Sequence, residues 1–288
     1  MQRPKGSLKL ISEILRKLNF KSEDGRFWTC IIEGYAIDFL LRNTSNLTIC
    51  FDHAGPARKK ANTKREAWGY RFIEKNTDQS GLFIKPVVSD WFRGKPLLHL
   101  FEKLNEAGLF DQFATVMNYG GSMGGYGAIA FADVCKAKIV LAYNPQATLN
   151  KDAVPWEKRF NWAPPQDWEG RLWNAADGCR SAQGVFVVFD PHHGNDRRHV
   201  AMLDVPNRID LVIPYVGHRT PLHVTNLGMS KKLFQDVTNG MFDLNEWNAA
   251  IRKRRSLEVY YQGLLRHAQR RKHSAFLAII ERYRAENI

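Results

Sequence analysis

The segment Asn118-Tyr119-Gly120-Gly121-Ser122-Met123-Gly124-Gly125-Tyr126-Gly127-Ala128 constrains this chain more than any other feature. Residues 113–118 are mostly apolar and suit a buried strand, while residues 124–134 are small and apolar and suit a helix laid closely on a sheet. Glycines two before and two after Ser122 predict a turn so tight that a Cβ at either position would collide. Such a turn lifts the serine hydroxyl clear of the backbone. It also sets the hydroxyl beside a helix N-terminus, whose unpaired N–H groups favour developing negative charge. A phosphate-cradling loop is the competing reading of a glycine-rich βα turn. No lysine follows to make one, and the glycine spacing differs from that of a dinucleotide-binding fingerprint.

The rest of the chain reads as alternating strands and helices. Strand-like runs occupy 27–32, 35–41, 47–51, 82–88, 113–118, 138–143, 185–189 and 209–215, and helical patterns 8–19 and 95–108. That order predicts an α/β fold with a mostly parallel central sheet flanked by helices, whose ligands bind beyond the carboxyl ends of the strands. Between 146 and 181 lies an insertion with Trp156, Trp162, Trp168 and Trp173 beside Pro155, Pro164 and Pro165, which reads as a short aromatic-rich lid at about 147–181. We expect the main domain to span 1–243. Residues 244–288 then form a basic helical C-terminal appendage, with helices at 244–254, 256–270 and 273–285 and a buried stripe of Leu257, Tyr260, Tyr261, Leu264 and Leu265. It either docks a partner or packs on the core.

In its strand–turn–helix setting the glycine-flanked Ser122 resembles the nucleophile elbow of the α/β-hydrolase superfamily. The resemblance covers roughly 47–222 and implies an α/β-hydrolase fold and acyl transfer through an acyl-serine, with no metal or organic cofactor. A serine hydroxyl needs a base within hydrogen-bond reach, and the base needs a partner that fixes its tautomer. The superfamily order is serine, acid, histidine. His218, after Pro214-Tyr215-Val216-Gly217, occupies the position of the base, with His223 its nearest rival; His99, His267 and His273 sit in helical or basic-tail contexts. For the acid, Asp196 leads a helix-like stretch a few residues beyond the 185–189 strand, and Asp190 at the strand end is the alternative. The oxyanion hole is expected from the N–H of Met123 and from His53 or Ala54. The run Asp52-His53-Ala54-Gly55 is one residue out of register with the family's common His-Gly pattern, so which N–H turns inward stays open. Tyr126, Trp156 and Trp162 are expected to line the substrate site. His192, His193 and Asp196 match no well-defined metal spacing.

Composition narrows the alternatives. Cys30, Cys50, Cys135 and Cys179 are scattered without metal-type spacing and read as buried thiols of a reducing compartment. The N-terminus lacks a secretory pattern and no run reaches membrane-spanning length, which makes the cytoplasm the expected location. A net charge of +13 gathers in the C-terminal segment and in Arg58, Lys59, Lys60, Lys64 and Arg65. Without an accompanying motif it argues only weakly for nucleic acid, while admitting an anionic small-molecule or glycan ester. Three functions compete: a serine hydrolase of esters or thioesters, an acyltransferase to a carbohydrate or surface polysaccharide precursor using the same triad, and a non-catalytic binding protein on the same fold. Oligomeric state is not legible.

Overall fold

The computed structural model describes residues 6–55 and 63–288. Arg58, Lys59 and Lys60 of the first basic cluster lie outside the described residues.

The described residues build an eight-stranded sheet in the order β1-β2-β4-β3-β5-β6-β7-β8. β1 (Phe27–Ile32) and β2 (Tyr35–Leu40) form a hairpin, and β2 runs antiparallel to β4 (Ser80–Pro86). From β4 onward all neighbours are parallel: β3 (Asn46–Phe51), β5 (Thr115–Gly121), β6 (Ile139–Tyr143), β7 (Gly184–Phe189) and β8 (Arg208–Val212). Both faces are covered, as the apolar character of the strands requires. In β3, Ile49 and Phe51 enter one core and Cys50 the other, the period-2 alternation of a strand buried on both sides. One face carries α1 (Leu8–Lys17), α3 (Lys95–Glu106), α4 (Met123–Ala130) and α5 (Gly194–Ala201). The other carries α2 (Tyr70–Asn76), α6 (Thr220–Asn226), α7 (Ser230–Asn239) and α8 (Leu244–Ile251).

Element ends depart from the sequence reading for identifiable reasons. Pairing along β8 ends before Pro214, which has no N–H to donate. The elbow helix stops at Ala130 instead of reaching Val134. There the backbone of Gly178 closes on it, so that a Cβ on Gly178 would lie 1.8 Å from the Ala130 carbonyl oxygen, and the Asp133 N–H donates to Gly178 at 2.8 Å.

The C-terminal chain is helical: α8 is capped by the Asp243 carboxylate, and α9 (Glu258–Arg270) pairs with α10 (Ser274–Asn287) through Tyr260, Tyr261, Leu264, Ala268 and Ile280. Leu257 and Leu265 of the expected stripe are only partly buried. Gly263 lets α9 press on the loop after β8, since a Cβ there would lie 2.3 Å from the Tyr215 carbonyl oxygen. All four cysteines are buried and free. Among the described residues no helix is long and apolar enough to cross a membrane.

Candidate active site

Ser122 stands between β5 and α4 at φ 56°, ψ −119°, a backbone conformation that a residue with a side chain rarely adopts. The flanking glycines explain how the strain is held. A Cβ on Gly120 would meet the Gly124 carbonyl oxygen at 2.0 Å, and one on Gly124 would meet the Phe51 oxygen at 2.1 Å. The N-terminus of α4 is therefore pressed on the end of β3, against the loop bearing His53 and Ala54. As the first helical residue, Met123 has no carbonyl one turn back for its N–H.

The structure brings Ser122, His218 and Asp196 together from three strand ends. His218 Nε2 lies 3.0 Å from Ser122 Oγ, and its Nδ1 lies 2.7 Å from Asp196 Oδ2. In the neutral tautomer this fixes, Nδ1–H donates to the carboxylate and Nε2 is free to accept the serine proton. Asp196 is fully buried in the first turn of α5, where the helix N-terminus favours a carboxylate. Burial opposes its ionisation. Hydrogen bonds from His193 and His218, with the guanidinium charge of Arg159, outweigh that and hold it well below the usual carboxylate range.

Asp190 has a different task. Its Oδ1 accepts from the N–H groups of His192 (2.8 Å) and Tyr215 (3.1 Å), and its Oδ2 from that of Gly217 (2.7 Å). It braces the two loops that carry Asp196 and His218. His223, the rival base, is buried on α6, and burial pushes its imidazole down to about 4.

Several site residues were not singled out from sequence. Arg159, from the lid, donates from Nη1 to Asp196 Oδ1 at 2.8 Å and closes a fork on Glu157 with contacts of 2.6 to 3.1 Å. Glu157 also accepts from His199 Nε2 at 3.1 Å, whose Nδ1 accepts the Ala147 N–H at 3.3 Å. Burial works against the Glu157 charge, yet the His199 and Arg159 hydrogen bonds and the guanidinium charge bring it down to about 2. The 147–181 insertion is thus ionically docked on Asp196, which contacts His218. Gln146, after β6, is held by Trp91 Nε1–H donating to its Oε1 at 3.1 Å, which leaves its Nε2 a long 3.5 Å from Ser122 Oγ. Nothing local marks Glu157, Arg159 or Gln146: the insertion carries other charges, including a second Glu-x-Arg at Glu169-Gly170-Arg171.

The aromatic candidates separate. Tyr126 does not line the site: it is fully buried, with Trp168 against its ring, and its hydroxyl donates to the Leu172 carbonyl. It sits on the face of α4 covered by the lid. Trp156 packs on His199, ring centroids 4.8 Å apart, beneath the Arg198 guanidinium. Trp162 is 38% exposed at the lid edge, beside Phe160 and Trp91. Arg65 is committed to an ion pair with buried Asp52, so the stretch before Trp68 does not present it to ligands. Among the described residues no group of three or more His, Cys, Asp or Glu is placed to hold a metal ion.

A mostly parallel sheet with an antiparallel second strand, and a strained serine between its fifth strand and the next helix, decide the architecture. The chain has the α/β-hydrolase fold. Solved structures of similar fold include the capsule O-acetyltransferase of Neisseria meningitidis serogroup A, at TM-score 0.52 and 13% identity over 75% of this chain and 96% of that one. A chain of the glycosylation associate protein (Gap123) complex from Streptococcus agalactiae matches at TM-score 0.53 and 12% identity, over 73% of this chain and 46% of that one. No protein-family model and no curated protein sequence matches the chain. In α/β-hydrolase terms, the serine follows β5, the carboxylate β7 and the imidazole β8.

Proposed function

We propose that the chain is an acyl-transfer enzyme acting on an ester or thioester through an acyl-serine at Ser122. The observation that carries this reading is the unbroken run of contacts Ser122–His218–Asp196 at 3.0 and 2.7 Å on a strained turn. His218 takes the hydroxyl proton as Oγ attacks the acyl carbon. The N–H of Met123 and one from His53 or Ala54 stabilise the oxyanion, and His218 returns the proton to the leaving group. Water or a second acceptor then attacks the acyl carbon with His218 again as base. The reaction requires no metal or organic cofactor.

A sugar hydroxyl as acceptor is the second reading. A cavity of about 460 Å³ within the 147–181 insertion is walled by Trp91, Phe160 and Trp168 together with Lys151 and Lys158; Ser122 and His218 do not line it. Aromatic faces of this kind suit sugar rings, and the lysines suit acidic ones. The fold neighbour named as a capsule O-acetyltransferase fits the same reading. The test is a set of nitrophenyl esters of graded acyl length, run on the wild type and Ser122→Ala with and without oligosaccharide acceptors. Turnover that vanishes in Ser122→Ala is expected, and turnover to water alone in every case removes the transferase reading. Equal turnover by both proteins removes acyl-serine catalysis.

A further inference from the structure

A second cavity, of about 360 Å³, lies between the loop after β8 and α9, with His218 in its wall. Its cations are Arg219, Arg266 and Arg270, all exposed, with His192 and His267 between them. None of the three arginines makes a side-chain hydrogen bond or ion pair with a described residue, in contrast to Arg65, Arg159, Arg171 and Arg284, each paired with a carboxylate. The one carboxylate in the wall, Asp190, has both oxygens occupied by backbone N–H groups. The imidazoles are packed in place: His192 stacks on Tyr215 with centroids 4.1 Å apart, and His267 meets the same ring edge-on at 5.3 Å. The close approach at Gly263 holds α9, and with it Arg266 and Arg270, against the loop that carries the base.

Three unpaired guanidinium groups around one small cleft repel one another, and an anion with several oxygens relieves that repulsion. Guanidinium forks match phosphate geometry. We propose that this cleft binds the phosphate or pyrophosphate group of the substrate that reacts at Ser122. The substrate role rests on the acyl-transfer reading; the anion site itself does not. The C-terminal helices then supply one wall of the substrate site.

The test is calorimetric titration of the full chain with inorganic pyrophosphate, repeated with Arg266→Gln/Arg270→Gln and with Arg252→Gln/Arg282→Gln. The latter pair removes the same charge from exposed positions outside the cleft. Losing two charge-assisted contacts weakens binding about tenfold or more in the first variant, and the second binds as the wild type does. No binding by the wild type, or equal weakening in both variants, overturns the site. A nucleoside diphosphate and glucose 1-phosphate, titrated separately, tell a nucleotide-type acyl carrier from a phosphorylated acceptor. Binding of either that ignores Arg266 and Arg270 counts against the proposal. Neutral-ester turnover, followed in parallel, keeps the two claims apart. Pyrophosphate binding without turnover keeps the anion site and removes the acyl-transfer reading, and turnover without binding does the reverse.

Discussion

Replacing each of the two candidate carboxylates by its amide separates catalysis from architecture. In Asp196→Asn the Arg159 contact selects the orientation of the amide, with His193 Nδ1, 3.1 Å from Oδ2, turned to accept. Arg159 Nη1–H sits 2.8 Å from Oδ1 and requires an acceptor there, so the amide oxygen takes that place and the NH2 turns to His218 Nδ1. A donor facing Nδ1 forces the imidazole proton onto Nε2, the atom 3.0 Å from Ser122 Oγ, and the base is lost. The same change in a well-studied serine protease triad lowers kcat about 10⁴-fold, or roughly 5 kcal/mol of barrier at 1.36 kcal/mol per decade, and we expect a loss of that order. Asp190→Asn keeps one acceptor but sets an NH2 against a loop N–H, which costs about 1–3 kcal/mol of stability. Its kcat falls far less. Ester turnover and urea denaturation of both variants supply the comparison. An Asp196→Asn protein within tenfold of the wild type, beside an Asp190→Asn protein that folds well and is inactive, refutes the assignment.

Further expectations concern the elbow and the lid. Gly124→Ala drives a Cβ to 2.1 Å from the Phe51 carbonyl oxygen, backbone against backbone, and should cost about 3 kcal/mol or more, visible as a large fall in melting temperature. Arg159→Met leaves Glu157 buried without its cation and Asp196 without one hydrogen bond; we expect a loss of about 3 kcal/mol and a drop in kcat with KM less affected. A lid proteolysed no faster than in the wild type contradicts that account. The Glu157 carboxyl titrates lower in the folded protein, about 2 against 4.5 ordinarily, so its contribution is full above pH 4.5 and is lost as the pH falls toward 2. At about 3 kcal/mol for that shift, the stability difference between wild type and Glu157→Gln should shrink steadily between those values in denaturant melts, and a constant difference argues against it.

The elbow, most strands and the convergence of Ser122, His218 and Asp196 were legible because each rests on local pattern. Glycine spacing sets the turn, short Val- and Ile-rich runs set the strands, and a Gly-His or Asp at a strand end sets its loop. The contact of the 147–181 insertion with Asp196 was not legible, because Arg159 and Asp196 are 37 residues apart and only the folded insertion brings them together. Tyr126 was misplaced for a related reason: its position four residues after Ser122 says nothing about which face of α4 the 147–181 insertion covers. Helix α9 showed its apolar stripe in the sequence, but its seat on the Tyr215 loop depends on a glycine that periodicity does not single out.

Labelling with a fluorophosphonate, followed by mass spectrometry of the modified peptide, addresses the central claim most directly. We expect one adduct on Ser122 in the wild type, a much slower reaction in His218→Ala, and none in Ser122→Ala. A wild-type protein that stays unmodified, or an adduct on any other residue, contradicts the account.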